Sequence, residues 1–283
     1  MTVLVTGSKG MIGSKLVQGL LDTSYKVVGV DRIGDEVHTE QLVQLTVDLA
    51  DTDALQKVVE DYHVDRIIHL AALAHTKRGD KVNWEDYKHI NIDCAKNVFS
   101  VAGDRPVLFI STVDVFGFYD GKMPVTGTTP IQPVSKYGRS KALAEAECKK
   151  LPRYTIFRFS PVYSDEIKRD IQKRYYLKYP KIAYRIGKGS AFEILNIDLA
   201  VNSMIDWCGT EPTNDIRILK DEKQMWSPDY IKAEKTAGNA KVVIWIPKWA
   251  VFLGYYCCLV LMGKTERTYL INKLIFPLRT LNK

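Results

Sequence analysis

Three side chains, Thr112, Tyr137 and Lys141, have types and a spacing that suit hydride transfer at an alcohol carbon. Tyr137 and Lys141 are four residues apart, so on a helix they share one face. An ammonium group beside a phenol stabilises the phenolate and moves the phenol pKa from about 10 toward neutrality. Such a tyrosine can remove a hydroxyl proton while hydride leaves the same carbon, or return that proton in the reverse direction. The hydroxyl of Thr112 can hold the reacting oxygen.

A glycine-rich turn near the start of the chain supplies the other half of this chemistry. In TGSKGMIGS, the glycines Gly7, Gly10 and Gly13 follow the first short apolar run. Glycine lets the backbone turn sharply and approach a pyrophosphate, which then sits on the amides of the following helix. The turn, including Met11 and Ile12, is therefore predicted to bind a dinucleotide, and an ordinary strand–helix turn is the alternative.

The residue Asp31 bears on which dinucleotide is bound. It ends the second predicted strand, where a carboxylate can accept hydrogen bonds from an adenosine ribose. Lys9 and Arg32 are cations that could meet the 2′-phosphate of NADP, but Asp31 would repel that phosphate. We therefore predict NAD, with NADP as the alternative.

These residues fall within an alternation of short strands and helices. Strands are predicted at residues 3–6, 26–30, 66–70, 106–110 and 154–159, and helices at residues 11–21, 53–61, 84–102 and 136–150. Short β-branched strands that alternate with helices predict an α/β fold whose parallel sheet is covered on both faces. Right-handed crossovers then give a doubly wound Rossmann fold.

The regular alternation ends after Pro161. A basic, tyrosine-rich segment then leads to Gly187 and Gly189, and a further helix is predicted from Asp198. We therefore predict an NAD(P)-binding Rossmann domain over residues 1–162 and a smaller substrate-binding lobe over residues 163–283. Part of that lobe, about residues 190–210, is expected to return to the Rossmann core.

Composition limits the number of domains, the kind of binding partner and the cellular compartment that we expect. A chain of 283 residues with 46% hydrophobic content can form one large domain or two smaller ones. The net charge of +7 is spread along the chain without a long run of like charges, so no nucleic-acid partner is expected. The five cysteines have no metal-ligand spacing, which predicts reduced thiols and no metal site. A strand that starts beside Met1 predicts no signal peptide and a cytoplasmic location.

Several further segments follow in a fixed order. They are Asp48-Leu49, His69-Leu70-Ala71-Ala72, Asn91, ISTVDVFG at 110–117, YGRSK at 137–141, RFSPVY at 158–163 and Asp198-Leu199-Ala200. With the glycine turn, they resemble the extended short-chain dehydrogenase/reductases of the NAD-dependent epimerase/dehydratase family. The resemblance is strongest over residues 1–163.

That resemblance implies a nucleotide-sugar substrate and a homodimer that associates through its long helices. It also implies cofactor contacts beyond the glycine turn, at Asp31, Arg32, Asp48, Leu49, Leu70, Ala71, Ala72, Tyr137 and Lys141. Asp48 corresponds to the residue that the family places beside adenine.

The two residues after Thr112 distinguish among members of this family. The family's 4,6-dehydratases follow the threonine with Asp and then Glu, whereas this chain has Val113 and Asp114. Valine cannot protonate a leaving hydroxyl, so dehydration is disfavoured. A 4-epimerase and a 4-keto-sugar reductase use the trio identically, and both stay open. A non-catalytic NAD(P) sensor and a hydroxysteroid-type dehydrogenase/isomerase are further alternatives on the same fold.

Two departures from the family pattern concern the substrate. Pro161 stands where many members carry an asparagine that touches the substrate, and Ala191 stands where epimerases often have a pyrophosphate-binding arginine. A cation from elsewhere in the lobe could replace that arginine, and the candidates are Arg169, Arg174, Arg185 and Lys188.

A C-terminal stretch, residues 249–263, contains no charge. A membrane-spanning helix needs about 20 apolar residues, so this stretch is too short to cross a bilayer alone. Its aromatic residues near basic ones would suit an interfacial helix, which makes peripheral membrane contact an alternative. We favour a helix packed within the substrate lobe.

Overall fold

The computed structural model describes residues 1–74, 82–164, 176–177 and 181–281. The chain divides into two compact units. The first comprises Met1–Val115, Lys136–Arg158 and Asp198–Arg217, and the second comprises Phe116–Ser135, Phe159–Ile197 and Ile218–Lys283. The predicted boundary near residue 162 stays a prediction.

Strands and helices are numbered in chain order. The described strands are β1 (Thr2–Thr6), β2 (Lys26–Asp31), β3 (Val37–His38), β4 (Leu42–Thr46), β5 (Arg66–His69), β6 (Val107–Thr112), β7 (Tyr154–Phe159), β8 (Val162–Tyr163), β9 (Tyr176–Leu177), β10 (Ile182–Ile186), β11 (Ala191–Phe192), β12 (Leu195–Asn196), β13 (Asp215–Leu219), β14 (Met225–Trp226) and β15 (Val242–Ile246). The described α-helices are α1 (Met11–Asp22), α2 (Thr52–Asp61), α3 (Trp84–Lys88), α4 (Cys94–Ser100), α5 (Lys136–Cys148), α6 (Ile197–Cys208), α7 (Ser227–Thr236), α8 (Lys248–Met262) and α9 (Glu266–Ile275).

Eight strands form the main sheet in the order β13-β7-β6-β5-β1-β2-β4-β3. β1 pairs in parallel with β2 and β5, β2 with β4, and β5 with β6, while β3 runs antiparallel to β4. The chain steps outward from β1 to β2 and β4, and then returns to β5 on the other side of β1. This reversal opens a crevice at the carboxyl ends of β1 and β5, where doubly wound sheets bind ligands. The predicted α/β Rossmann fold is confirmed.

Apolar side chains from strands and helices form the core of the first unit. Leu4, Ile67 and Phe109 on three sheet strands are fully buried, and Phe99 on α4 packs into the same cluster. The late helix α6 also belongs to this unit, because Ile205 packs against Gly19 of α1 closely enough that a side chain at Gly19 would displace it.

The second unit is built from smaller sheets and helices. β10 pairs in parallel with β15 and antiparallel with β9, and β11 pairs antiparallel with β14. Phe192, Ile194, Tyr230 and Ile231 form the main part of its core. All five cysteines of the chain are free. None of the helices that the structure describes has the length and apolar content to cross a membrane.

Two helical segments differ from the sequence expectation. The helix predicted over residues 84–102 is split by a π-helical segment, His89–Asp93, between α3 and α4. The uncharged C-terminal stretch does form a helix, α8, but Tyr255 is the one buried residue among its fifteen. The expectation that this helix is packed within the lobe is therefore wrong for most of its surface.

Candidate active site

The glycine turn between β1 and α1 has room for backbone only. Gly7 has a positive φ of 72°, and a Cβ there would lie 2.8 Å from the backbone nitrogen of Ala71. A Cβ at Gly13 would overlap the carbonyl oxygen of Gly7, to which the N–H of Gly10 donates at 3.0 Å. Helix α1 begins at Met11, immediately after Gly10, so its free amides face the turn. This cradle fits the pyrophosphate of a dinucleotide.

The carboxylate of Asp31 is fixed at the rim of this turn. Its Oδ2 accepts a hydrogen bond from the backbone N–H of Lys9 at 3.0 Å, and its Oδ1 accepts one from the N–H of Arg32 at 2.8 Å. The Lys9 side chain runs beside Gly34. A carboxylate held by two amides keeps free lone pairs for ribose hydroxyls, which is the contact that favours NAD.

The segment Asp48-Leu49 is held in place by α4. Oδ1 of Asp48 accepts the N–H of Ala50 at 2.9 Å, and the amide of Asn97 donates to the carbonyl of Leu49 at 2.9 Å. Asp48 is exposed and Leu49 is half-buried. The sequence had not identified Asn97 as the residue that positions this loop.

The loop after β5 lies directly beside the glycine turn. Leu70 donates its N–H to the carbonyl of Thr6 at 3.2 Å, and the N–H of Ala71 donates to the Thr6 hydroxyl at 3.4 Å. Leu70, Ala71 and Ala72 are half-buried. The structure thus brings this predicted cofactor segment to the turn formed by Gly7.

Asn91 connects that loop to helix α5. It lies in the π-helical segment, where its Oδ1 accepts the N–H of Leu73 at 2.6 Å and its Nδ2 donates to the Leu73 carbonyl at 3.1 Å. Nδ2 also donates to the hydroxyl of Ser140 at 2.8 Å, and that hydroxyl donates to the carbonyl of Tyr137 at 2.8 Å. π-Bulges are frequent at functional sites. Here the bulge fixes the first turn of α5.

Tyr137 and Lys141 lie on the first two turns of α5. Tyr137 is half-buried, whereas Lys141 is only 2% exposed. Burial lowers the pKa of Lys141 to about 7, and the nearby Glu145 carboxylate opposes that shift. The Lys141 Nζ lies 4.2 Å from the centre of the Phe109 ring, so α5 packs against β6 at this point.

Thr112 is the last residue of β6. Its hydroxyl accepts the N–H of Asp114 at 3.2 Å, which starts the 3₁₀ turn Val113–Phe116. Its neighbour Ser111 donates to Glu145 of α5 at 2.6 Å. The strand that ends in Thr112 is therefore packed beside the helix that carries Tyr137 and Lys141, while the roles of the three stay predictions.

A buried ion pair behind the trio was missed by the sequence analysis. Arg158 of β7 donates to both carboxylate oxygens of Glu145, at 2.9 and 2.8 Å, and both side chains are buried. The signal was available, because a charged residue inside an otherwise apolar strand requires a partner.

His69 is a second buried polar group at this site. Its Nδ1 shares a 2.7 Å hydrogen bond with the hydroxyl of Thr6, and its ring stacks on Phe109 at 5.8 Å. Burial, assisted by the charge of Lys141, lowers the pKa of His69 to about 3. The imidazole is therefore neutral at physiological pH.

The cations proposed for the substrate lobe belong to the second unit. Arg185 donates to the carbonyl of Gly187 at 3.3 Å and is exposed, as is Lys188. Arg169 and Arg174 lie outside the described residues. Ala191 occupies β11.

Curated relatives resemble about half of the chain. UDP-arabinose 4-epimerase 1 of Arabidopsis thaliana is 32% identical over 157 residues, which cover 50% of this chain and 37% of that protein. A UDP-glucose 4-epimerase of Cyamopsis tetragonoloba is 30% identical over 169 residues, which cover 54% of this chain and 47% of that protein. The matched part spans less than half the length of each relative.

Solved structures share the fold at lower identity. The UDP-glucuronic acid 4-epimerase from Bacillus cereus, in complex with NAD, has a TM-score of 0.70 at 21% identity over 98% of this chain and 97% of that one. A dTDP-glucose 4,6-dehydratase from Streptomyces venezuelae, with NAD bound, has a TM-score of 0.69 at 20% identity over 87% of this chain and 84% of that one.

A family model also matches the chain. The model of the NAD dependent epimerase/dehydratase family matches residues 3–208, which contain the glycine turn, Thr112, Tyr137 and Lys141. The chain belongs to the NAD dependent epimerase/dehydratase family.

Proposed function

We propose that this protein is an NAD-dependent epimerase that acts at C4 of a nucleotide-activated sugar. The observation that carries the proposal is the burial of Lys141 one turn after the half-buried Tyr137, on the helix packed beside the strand that ends in Thr112. The curated relatives described above are UDP-sugar 4-epimerases, which supports epimerisation over one-way reduction.

The cofactor site supports NAD as the partner of this chemistry. The backbone cradle of Gly7, Gly10 and Gly13 would hold the pyrophosphate, and Asp31 would accept hydrogen bonds from the adenosine ribose. When bound, NAD would accept a hydride from C4 of the sugar and return it to the opposite face.

The chain's own residues would transfer the proton and hold the reacting oxygen. Tyr137 would take the proton from the C4 hydroxyl and later return it, while the Thr112 hydroxyl would hold the oxygen. The charge of Lys141 would favour the phenolate form of Tyr137. Because Asn91 and Ser140 fix the backbone at Tyr137, the phenol would start from a defined position.

The proposal disfavours dehydration as the main reaction. Val113 carries no proton donor for a leaving hydroxyl, and Asp114 is the one remaining candidate acid in this segment. A homodimer and a cytoplasmic location complete the proposal. The first rests on the resemblance to the family, and the free state of all five cysteines supports the second.

The test uses the full-length chain, purified and analysed for bound cofactor by mass spectrometry after denaturation. We expect NAD to be released. UDP-glucose, UDP-arabinose and UDP-glucuronic acid are then incubated separately with the protein, and NMR should report inversion at C4 for at least one of them. Consumption of NADPH with a 4-keto sugar, without C4 inversion, would identify a reductase instead. Bound cofactor without turnover of any sugar would favour the sensor.

A further inference from the structure

Helix α8 presents a large apolar surface to solvent. No charged residue occurs between Lys248, its first residue, and Lys264. Several of its side chains are largely exposed to solvent: Val260 is 86%, Leu261 82% and Trp249 71% exposed. A helix that is apolar around its whole circumference normally lies in a protein core or in lipid. The exposed surface of α8 therefore calls for an apolar partner.

The exposed side chains form one continuous stripe along this helix. Trp249, Leu253, Tyr256 and Val260 follow at intervals of four, three and four residues, which places them on one face. We call these four residues the outer stripe. Its length is that of α8, fifteen residues or about 22 Å.

An adjacent face of α8 anchors the helix to its own unit. Phe252 and Tyr255 contact the ring of Phe276 with centroid distances of 5.5 and 6.3 Å. The Tyr255 hydroxyl accepts a hydrogen bond from Asn272 of α9 at 3.0 Å. Thr265 caps the start of α9 through its hydrogen bonds with Thr268. The anchored face fixes the outer stripe in an outward orientation.

Positive charge is concentrated in the segment of sequence that contains this helix. The expectation that the net charge is spread along the chain is wrong in this respect, because residues 237–283 contain seven Lys or Arg and a single Glu and so carry six of the seven net positive charges. Lys248 begins α8, and Lys264 and Arg267 follow its end, all three of them exposed. An apolar stripe between basic ends complements the anionic headgroups and acyl chains of a bilayer.

The same charges disfavour a second copy of this chain as the partner. Two α8 helices paired about a two-fold axis would bring Lys248 of one copy near Lys264 of the other. Like charges brought together at the edge of an apolar contact oppose it. Aromatic residues such as Trp249 and Tyr256 instead suit the boundary between headgroups and hydrocarbon.

We propose that α8 docks this protein on the surface of an anionic membrane, with the outer stripe inserted at the headgroup–acyl boundary. At about 22 Å the helix is shorter than the roughly 30 Å hydrocarbon core, so it lies along the surface and does not cross the bilayer. This inference goes beyond the proposed enzymatic function and is independent of it.

Vesicle flotation of the full chain tests the proposal. We expect binding to vesicles of phosphatidylcholine with phosphatidylglycerol, and at least about tenfold weaker binding to phosphatidylcholine alone or at high salt. The double variant Leu253→Glu/Val260→Glu, in which both residues belong to the outer stripe, should lower binding by about tenfold or more. Met123→Glu is the matched control, because Met123 is 76% exposed but lies outside this segment, and it should bind as the original chain does.

Thermal melting of each variant checks the fold, and both substitution sites are exposed enough to tolerate glutamate. Absence of binding to anionic vesicles would overturn the proposal, as would equal binding by the double variant. Light scattering measures the oligomeric state and so tests the alternative that a second copy of the chain covers α8. A dimer that the double variant converts to a monomer, without vesicle binding by the original chain, would identify a second copy as the partner. Bound NAD, read by absorbance, reports on the proposed function separately.

Discussion

Lys141 and Phe109 are in direct contact, with the ammonium nitrogen 4.2 Å from the centre of the ring. The imidazole of His69 stacks on the same ring, so both buried basic groups contact one aromatic side chain. Burial lowers both pKa values, to about 7 for Lys141 and about 3 for His69. Near neutral pH the His69 imidazole is therefore uncharged, whereas Lys141, on the helix that carries Tyr137, is close to its pKa and is partly protonated.

Replacing the phenol of Tyr137 tests the proposed acid/base role. We expect Tyr137→Phe to lower kcat by about 10³-fold, since a positioned proton donor and acceptor contributes a factor of this size. Bound NAD should be retained, because the substitution keeps the hydrogen bond from Ser140 to the backbone carbonyl of Tyr137. Tyr62→Phe, at the end of α2, is the matched control and should keep full turnover. Turnover by Tyr137→Phe equal to that of the control would contradict the assignment.

The close approach within the glycine turn predicts the effect of one added methyl group. Gly13→Ala would place Cβ against the carbonyl oxygen of Gly7, so the turn must open. We expect NAD affinity, measured by calorimetry, to fall about tenfold or more. Gly254→Ala serves as the control, because a Cβ there meets nothing within 4 Å. Comparable NAD affinity in the two variants would show that the turn does not hold the cofactor.

The buried pair of Glu145 and Arg158 predicts a large effect on stability. Glu145→Gln leaves a buried guanidinium without its counter-charge, which should lower the free energy of unfolding by about 3–5 kcal/mol. Glu147→Gln, two residues along the same helix, removes a surface contact with Lys150 and should cost at most about 1 kcal/mol. Urea unfolding of both variants measures the difference. Losses of equal size would mean that the buried pair contributes no more than the surface pair.

The low pKa of His69 predicts a stability that depends on pH. Its pKa falls from 6.5 to about 3 on folding, so between these values the unfolded chain binds a proton that the folded chain does not. Stability should therefore decrease as pH falls through this range, by about 3 kcal/mol between pH 7 and pH 4 from this group alone.

Denaturant unfolding over a pH series measures this dependence. His69→Phe keeps an aromatic ring beside Phe109 but cannot titrate, so its stability should fall less steeply with acid. His38→Phe replaces an exposed histidine and should retain the original dependence. If His69→Phe and the original chain lose stability in parallel, another group is responsible.

The strands and helices that could be predicted from the sequence were those marked by runs of apolar residues. The bounds predicted for β7 are those observed, and α1 and α2 differ from expectation by one residue at one end. β4 was not predicted, because polar residues interrupt its apolar pattern. Gln44 is nonetheless buried there and accepts a hydrogen bond from the hydroxyl of Ser8. A strand stabilised by a distant polar partner gives no periodic signal.

Some features of the site could likewise be predicted from the sequence, and others could not. The glycine turn, Thr112, Tyr137 and Lys141 were recognisable because their chemistry depends on residue type and short spacing. The lowered pKa of Lys141 was not recognisable from the sequence. It arises from burial against Phe109, which lies 32 positions away in the sequence. The exposure of α8 was missed for the opposite reason, since an uncharged run predicts burial but does not say against what.

The first unit draws on three separate stretches of chain, and its last stretch, Asp198–Arg217, contributes hydrogen bonds to the others. The guanidinium of Arg66 donates to the carbonyls of Trp207 and Thr210, and the indole of Trp207 donates to Thr155. During synthesis on the ribosome, these partners emerge only after more than a hundred further residues have followed Arg66. When the ribosome has synthesised the glycine turn and the trio, the first unit still lacks α6. The unit can therefore become complete only after α6 has been synthesised.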